Sequence, residues 1–485
     1  MSYINKSNIM IKGLIIGFIT LFVVMLGKEV QPAKNIEKDQ AIMYAVRNAL
    51  QYTHLSPQVI DENFSARLYD EYIKRIDPSK RFLTADDLSV LEGFRNRLHL
   101  EFINKEITFF ELSNGTIENA IVKVKSFYAD LLGQPFNLYT DETLELDAEK
   151  RAWPKNDEEL REVWRKILKY EVITRVYDRL EAQKDSIISD MKTAEEIEKE
   201  SRERVLKRYS DMFDRMDRIN RNDRFEMYIN TFTNLFDPHS EYYSPKNKED
   251  FDIRMQGKLE GIGARLQNDK DLTKIVEVIP GGPAWKDKRL QANDFILRVA
   301  QEDSDEFIDL TGMRIDEVVT HIRGKKGTKV KLEVRKPDGS LQIIKLERDE
   351  VIIDETKAKS VIVSDSLIGK NIGFIRLPSF YSEFKANGQN SSDDIKTEIE
   401  KLKANNVEGI ILDLRFNGGG SLPDVITIAG YFIEGGPVVQ VKQTNERPFA
   451  HRDRSSKALY DGPLVILVNE MSASASEILA AAMQD

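Results

Sequence analysis

Residues 467–485 read LVNEMSASASEILAAAMQD. The run just before and into them, PLVILV (463–468), is continuously apolar, which predicts a strand buried on both faces. ASEILAAAMQ (475–484) consists of good helix formers. Ser472, Ser474 and Ser476 therefore sit where a strand turns into a helix. One reading is structural. Ser474 to Glu477 spells a capping box, in which the serine oxygen accepts from the Glu477 N–H for about 1 kcal/mol. The other reading uses the same place for chemistry. A serine at the mouth of a helix lies beside unpaired N–H groups and the positive end of the helix dipole. Those groups can hold the oxyanion formed when Ser Oγ attacks a carbonyl, with the Ala475 N–H as first donor. One such donor is typically worth about 3–4 kcal/mol in the transition state. Position alone does not separate Ser474 from its two neighbours.

Upstream, strand and helix patterns alternate. NIGFIRL (371–377) and EGIILDL (408–414) read as strands, SDDIKTEIEKLKANN (392–406) and LPDVITIAGYFI (422–433) as helices, and PVVQV (437–441) as a strand. That alternation predicts an α/β domain with a largely parallel sheet over 350–485. The glycine-rich NGGG, Asn417 to Gly420, follows EGIILDL and RF, and its backbone can approach a substrate closely. It offers a second oxyanion donor, or simply a tight turn.

Between 247 and 348 the texture is that of a small β-domain. GIGARLQ, TKIVEVI, DFILRVA, TKVKLEVRK and LQIIKLER are β-forming runs, and KPDGS is a turn. One helix, RIDEVVTHIRG (314–324), interrupts them. From 36 to 245 the apolar spacing is helical. In 160–180, Leu160, Val163, Trp164, Ile167, Leu168, Val172, Ile173, Val176 and Leu180 mark one face. The expected fold is thus multidomain α+β: helices, then a small β-domain, then α/β.

The chain has 485 residues, enough for several domains, with a net charge of −10 and no cysteine. An acidic chain is a poor nucleic-acid binder. A cysteine nucleophile, thiolate metal sites and disulfides are excluded. The five histidines, His54, His99, His239, His321 and His451, lie in no triad pattern. Nothing in the sequence calls for a metal or cofactor. Lys6 and Lys12 precede the uncharged GLIIGFITLFVVMLG (13–27), the pattern of an export signal, over 1–32. A cleaved signal and an uncleaved membrane anchor both remain open.

DLRFNGGG (413–420), SASASEILAAAMQD (472–485), LEGIGARLQ (259–267) and FDPHSEYYSP (236–245), in these positions, resemble the tail-specific proteases. These are the C-terminal processing peptidases, Ser–Lys serine endopeptidases. The resemblance implies a helical domain, a PDZ domain and a crotonase-like α/β protease domain, exported to the periplasm. It implies cleavage of proteins selected by apolar C-terminal tails, and it leaves room for an adaptor protein. Ser474 matches the nucleophile and Asp485 an acidic residue supporting activity. Gly419 or Gly420, with Ala475, match the oxyanion donors. The family's lysine base has a glycine-lysine-glycine context that this sequence lacks. Lys442 and Lys457 are no substitutes. The expectation is an incomplete protease domain, inactive alone.

EGIGA (260–264) resembles the carboxylate-binding loop of PDZ domains, a nest of N–H groups for a peptide terminus. Gly261, Ile262, Gly263 and Ala264 would form it, with Ile262 facing the apolar groove. Val318, Val319 and Ile322 would line the pocket for the last side chain. Asn293 stands where such sequences usually have glycine. A non-catalytic tail-binding scaffold is the alternative function, and a crotonase-like lyase or hydratase the weaker third.

Overall fold

A computed structural model describes residues 32–184, 191–302, 304, 306–365, 369–383 and 388–485. The chain divides at Ser244/Pro245 into two units. The apolar segment read as a signal or anchor lies outside the described residues. Among the described residues no helix is long and apolar enough to cross a membrane.

The first unit is helical: α1 (Pro32–Thr53), α2 (Glu62–Ile76), α3 (Ala85–Leu91), α4 (Leu98–Asn104), α5 (Thr108–Lys125), α6 (Tyr128–Gly133), α7 (Asp157–Lys184), α8 (Ala194–Asp217) and α9 (Arg221–Asn234). The predicted apolar face lies on α7, where Leu160, Trp164, Ile167, Leu168, Val172 and Val176 are buried. They form a core with Tyr209 and Phe213 of α8. A second core is aromatic, built from Tyr72, Phe102, Phe109, Tyr228 and Phe232. Helix starts are sealed by side chains. Thr84, Thr193 and Asn220 each head a capping box, satisfying N–H groups that the helix itself cannot.

The second unit opens with α10 (Pro245–Gln256) and continues into the small β-domain. Its strands are β1 (Lys258–Gly261), β2 (Ala264–Asp269), β3 (Leu272–Val278), β4 (Phe295–Gln301), β5 (Ile308–Asp309), β6 (Lys329–Arg335), β7 (Leu341–Glu347) and β8 (Asp349–Ile352). The main sheet has the order β2-β3-β4-β6-β7, with β5 beside β4. β2 is thus an edge strand. β1 and β8 pair antiparallel as a separate ribbon. Two helices complete the domain, α11 (Pro283–Asp287) and α12 (Ile315–Ile322), the latter packing beside β2.

The α/β part contains β9 (Lys359–Asp365), β10 (Lys370–Arg376), α13 (Ser391–Ala404), β11 (Gly409–Asp413), α14 (Leu422–Ala429), β12 (Gly436–Val441), β13 (Phe449–Asp453), β14 (Leu464–Leu467) and α15 (Ala475–Gln484). Its sheet runs β14-β11-β10-β9. β10, β11 and β14 are parallel, and β9 joins antiparallel. β12 and β13 form a separate hairpin. The core beneath gathers Ile375, Leu377, Ile410, Leu412, Val425, Ile428 and Leu479.

One expectation fails here. PLVILV is not buried on both faces: Val465 is 53% and Val468 50% exposed. β14 is the edge of the described sheet, so only one flank has a partner strand. An apolar run reports a strand's composition, not how many neighbours it has.

Candidate active site and tail-binding site

The serine corner is a strained turn. Ser474 has φ 55° and ψ −114°, a conformation that L side chains rarely adopt. It is exposed, at the N-cap of α15, and its N–H donates to the Glu477 carboxylate at 2.6 Å. The flanking serines are spent on structure. Ser472 Oγ donates to the Leu414 carbonyl at 2.8 Å. Ser476 is fully buried, and its Oγ donates to the Asn417 carbonyl at 2.8 Å. Three serines that composition could not rank are therefore distinct in their surroundings.

The glycine loop packs against this corner. Gly419 has φ +106°, and a Cβ on it would lie 2.7 Å from Ser474 Cβ and 3.1 Å from the Ala475 nitrogen. Gly420 has φ +142°, and a Cβ there would meet the Phe380 carbonyl oxygen at 2.3 Å. Both positions exclude any side chain. Phe380 donates to the Gly419 carbonyl at 2.9 Å and accepts from the Ser421 N–H at 2.8 Å, so the loop is tied to the segment after β10.

Asn417 organises the site, a role the sequence reading did not assign. It is fully buried. Its Nδ2 donates to the Leu377 carbonyl at 2.9 Å, and its Oδ1 accepts from the Gly419 N–H at 2.9 Å. Its carbonyl accepts from Ser476 Oγ and, at 3.1 Å, from the Ala473 N–H. Asn417 thus links the residue after β10 to the glycine loop through its side chain, and the loop to the serine corner through its backbone carbonyl. The signal for it was the Asx habit of bonding the N–H two residues on. Just before it, Arg415 forks onto Asp413 at 2.9 Å through both Nε and Nη2, which holds the Asp413 carboxyl below its ordinary range.

Among the expected oxyanion donors, Ala475 lies at the helix mouth against Gly419. The Gly419 N–H, by contrast, is committed to Asn417. Its expected role as donor gives way to one of close approach. Gly420 N–H finds no backbone acceptor among the described residues. Asp485 is the C-cap of α15, its N–H on the Ala481 carbonyl at 3.0 Å. At 1.5 Å per residue it stands about 16 Å along the helix from Ser474. The structure does not bring the two together. His54 pairs with Asp237 at 2.7 Å and His99 with Ser65 at 2.8 Å, in the helical unit. Lys442 and Lys457 are exposed. Among the described residues, no histidine or lysine hydrogen-bonds the Ser474 hydroxyl.

In the β-domain, Gly261 ends β1, Ile262 and Gly263 connect it to β2, and Ala264 opens β2. The carbonyls of Ile262 and Gly263 are taken, by the Ala284 N–H at 2.8 Å and the Ile279 N–H at 2.9 Å. Their own N–H groups have no backbone acceptor among the described residues. Gly263 has φ +74°. The loop thus has the chemistry of a carboxylate nest. Two expectations change. Ile262 does not face a groove: it is 3% exposed, in the core with Ile275 and Ala284. Of the three pocket residues, Val318 and Ile322 are core as well, and only Val319 lines a cavity, of about 190 Å³ between α10 and α12. Adjacent helix positions point about 100° apart, so 318 and 319 cannot share one face. Asn293 takes φ 74°, the left-handed turn it was read to tolerate.

Residues 46–246 match the model of the tail specific protease N-terminal domain, 251–335 that of the PDZ domain, and 371–485 that of peptidase family S41. The tail-specific protease of Haemophilus influenzae is 31% identical over 452 residues, 93% of this chain and 61% of its own length. The carboxy-terminal processing protease CtpA of Bacillus subtilis is 31% identical over 252 residues, 52% of this chain and 49% of its own. The chain therefore spans about half to three fifths of these relatives. Among solved structures, the PDZ domain of the carboxy-terminal protease from Vibrio cholerae in complex with peptide is 42% identical, covering 19% of this chain and 97% of that one, with a TM-score of 0.19. The chain thus carries, in order, regions that match the tail specific protease N-terminal domain, the PDZ domain and peptidase family S41, and over 93% of its length it is similar to a tail-specific protease.

Proposed function

We propose that the protein is a serine endopeptidase of the cell envelope that selects proteins by apolar C-terminal tails and cleaves them with Ser474. The observation that carries this reading is the Ser474 corner: an exposed hydroxyl on a strained backbone, with Gly419 packed against it. Strain of this kind typically costs about 1–3 kcal/mol and is kept where geometry matters more than stability. In the proposed reaction Ser474 Oγ attacks the scissile carbonyl, and the developing oxyanion is met by the Ala475 N–H at the helix mouth. Gly420 is a candidate second donor, and Asp485 is proposed to support activity from the far end of α15. The tail's carboxylate would sit on the N–H groups of the 261–264 loop, its backbone extending along the β2 edge. The apolar segment at 13–27, behind two lysines, supports export and leaves membrane association open to test.

The attack also needs a proton acceptor, and no described histidine or lysine hydrogen-bonds Ser474. That observation favours a second reading, tail binding without cleavage. Incubating the protein, at the length its cell makes it, with a folded substrate carrying an apolar or a charged C-terminal tail separates the two. Cleavage of the apolar-tailed substrate alone, lost in Ser474→Ala, is the expected result. Tail-dependent binding with no cleavage supports the scaffold instead.

A further inference from the structure

β9 reads KSVIVSD, residues 359–365, and the run is self-complementary. Reversed, it sets apolar residues on apolar ones, serine on serine and a basic end on an acidic one. It is also an edge: the sheet ends at β9, with β10 on one side and no strand on the other among the described residues. The devices that usually blunt such an edge are missing from its middle. There is no proline, glycine or charge from Ser360 to Ser364, and the pairing with β10 runs through without a bulge. Val361 is 57%, Ile362 39% and Val363 50% exposed. Register places Val361 and Val363 on one face, across from Phe374 and Ile372 of β10. The direction of the backbone groups follows from one side-chain contact. The Ser360 N–H donates to the Glu398 carboxylate of α13 at 3.0 Å, so it points away from β10. Alternation turns the N–H and C=O of Ile362 and Ser364 to the same open side.

We propose that two copies of the protein join antiparallel through β9, with a twofold axis at Ile362. In that register the two Ile362 residues exchange both backbone hydrogen bonds, and each Ser364 N–H donates to the Ser360 carbonyl of the other copy. The Ser360 N–H stays on Glu398, which ends the ladder there. Val361 of each copy falls beside Val363 of the other in a non-hydrogen-bonded pair, where side chains come closest. Lys359 falls opposite Asp365, so opposite charges meet at both ends, whereas a parallel pairing would set like charges together. Backbone bonds alone would also allow an axis at Val363, but that slip sets Val361 opposite Asp365. A twofold contact of this kind closes on itself and yields a dimer, not a fibre. One short strand buries a small area, so the dimer is concentration-dependent. The inference stands apart from the tail-binding reading, since β9 belongs neither to the serine corner nor to the 261–264 loop.

The test is analytical ultracentrifugation of the protein at the length its cell makes it, beside the variants Ile362→Lys, Ile362→Cys and Val465→Cys. The unaltered protein is expected to pass from one copy to two as its concentration is raised. Ile362→Lys should stay a single copy throughout, because an edge lysine hinders pairing, and its thermal unfolding should be unchanged at so exposed a position. The 485-residue sequence has no cysteine to add background. On mild oxidation Ile362→Cys should link into a dimer, since the paired Cα atoms would lie about 5.5 Å apart, inside disulfide range. Val465→Cys, exposed on β14 at the other end of the sheet, should not link. Should the lysine variant prove less stable, the two cysteine variants decide. A dimer that survives Ile362→Lys overturns the proposal. So does a single copy at every concentration, which is also the result if another segment of the same chain covers β9. Equal linking of Ile362→Cys and Val465→Cys would mean random collision and overturns it as well.

Discussion

Gly419 lies against Ser474 so closely that a methyl group on its Cα would come within 2.7 Å of Ser474 Cβ. Contacts under about 3 Å are not tolerated between such carbons, and φ +106° is closed to L side chains. Gly419→Ala is therefore expected to push the serine corner away from the loop and to cost about 2–4 kcal/mol. Urea unfolding measures it. A loss below about 0.5 kcal/mol would show that the loop and the corner are not packed as described.

The three serines should separate by stability. Ser474→Gly removes a side chain from φ 55° and is expected to stabilise the fold by about 1 kcal/mol, after the entropic cost of glycine, while removing the proposed nucleophile. Ser476→Ala breaks a buried bond to the Asn417 carbonyl and should cost about 1 kcal/mol. Opposite signs in thermal unfolding are the expected outcome. Equal losses would mean that Ser474 is an ordinary cap.

Asn417→Ala strips the acceptor from the Gly419 N–H and the donor from the Leu377 carbonyl, both in a buried setting. About 3 kcal/mol of destabilisation is expected, with cleavage impaired through misplacement of the loop. A change under 1 kcal/mol in denaturant titration would contradict the role given to this amide.

Much of this was legible from residue patterns, and the gaps have physical causes. The face of α7 from Leu160 to Val176 follows from spacing alone, because one helix side must be apolar to pack. The Ser474 corner and NGGG were found because glycine and a strand-helix junction constrain the backbone locally. What depends on distant partners was missed. The exposure of β14 depends on how many strands lie beside it. The commitment of the Gly419 N–H depends on a side-chain amide two residues away. The placing of Val318 in the core and Val319 in the cavity depends on which face α10 covers.

In the helical unit, Glu101 is 4% exposed, and its carboxylate accepts the Phe109 N–H at 3.0 Å. Burial pushes its pKa up to about 7, only partly countered by that bond. A raised carboxyl pKa means the folded state binds the proton more tightly than the unfolded one. Stability from this group is full below about pH 4, declines through the window up to about 7, and is lost above it. The size is on the order of 3 kcal/mol. Urea unfolding of the unaltered protein and Glu101→Gln at pH 5 and pH 8 should show the unaltered protein losing stability relative to the variant as pH rises. A constant difference would rule this out.

The most direct measurement is of where a serine-reactive fluorophosphonate attaches, mapped by mass spectrometry on the protein at the length its cell makes it. Modification of Ser474, with Ser472 and Ser476 untouched, is the expected result, because their hydroxyls are engaged by the Leu414 and Asn417 carbonyls. Label on either neighbour, or cleavage of an apolar-tailed substrate that survives Ser474→Ala, would contradict the account.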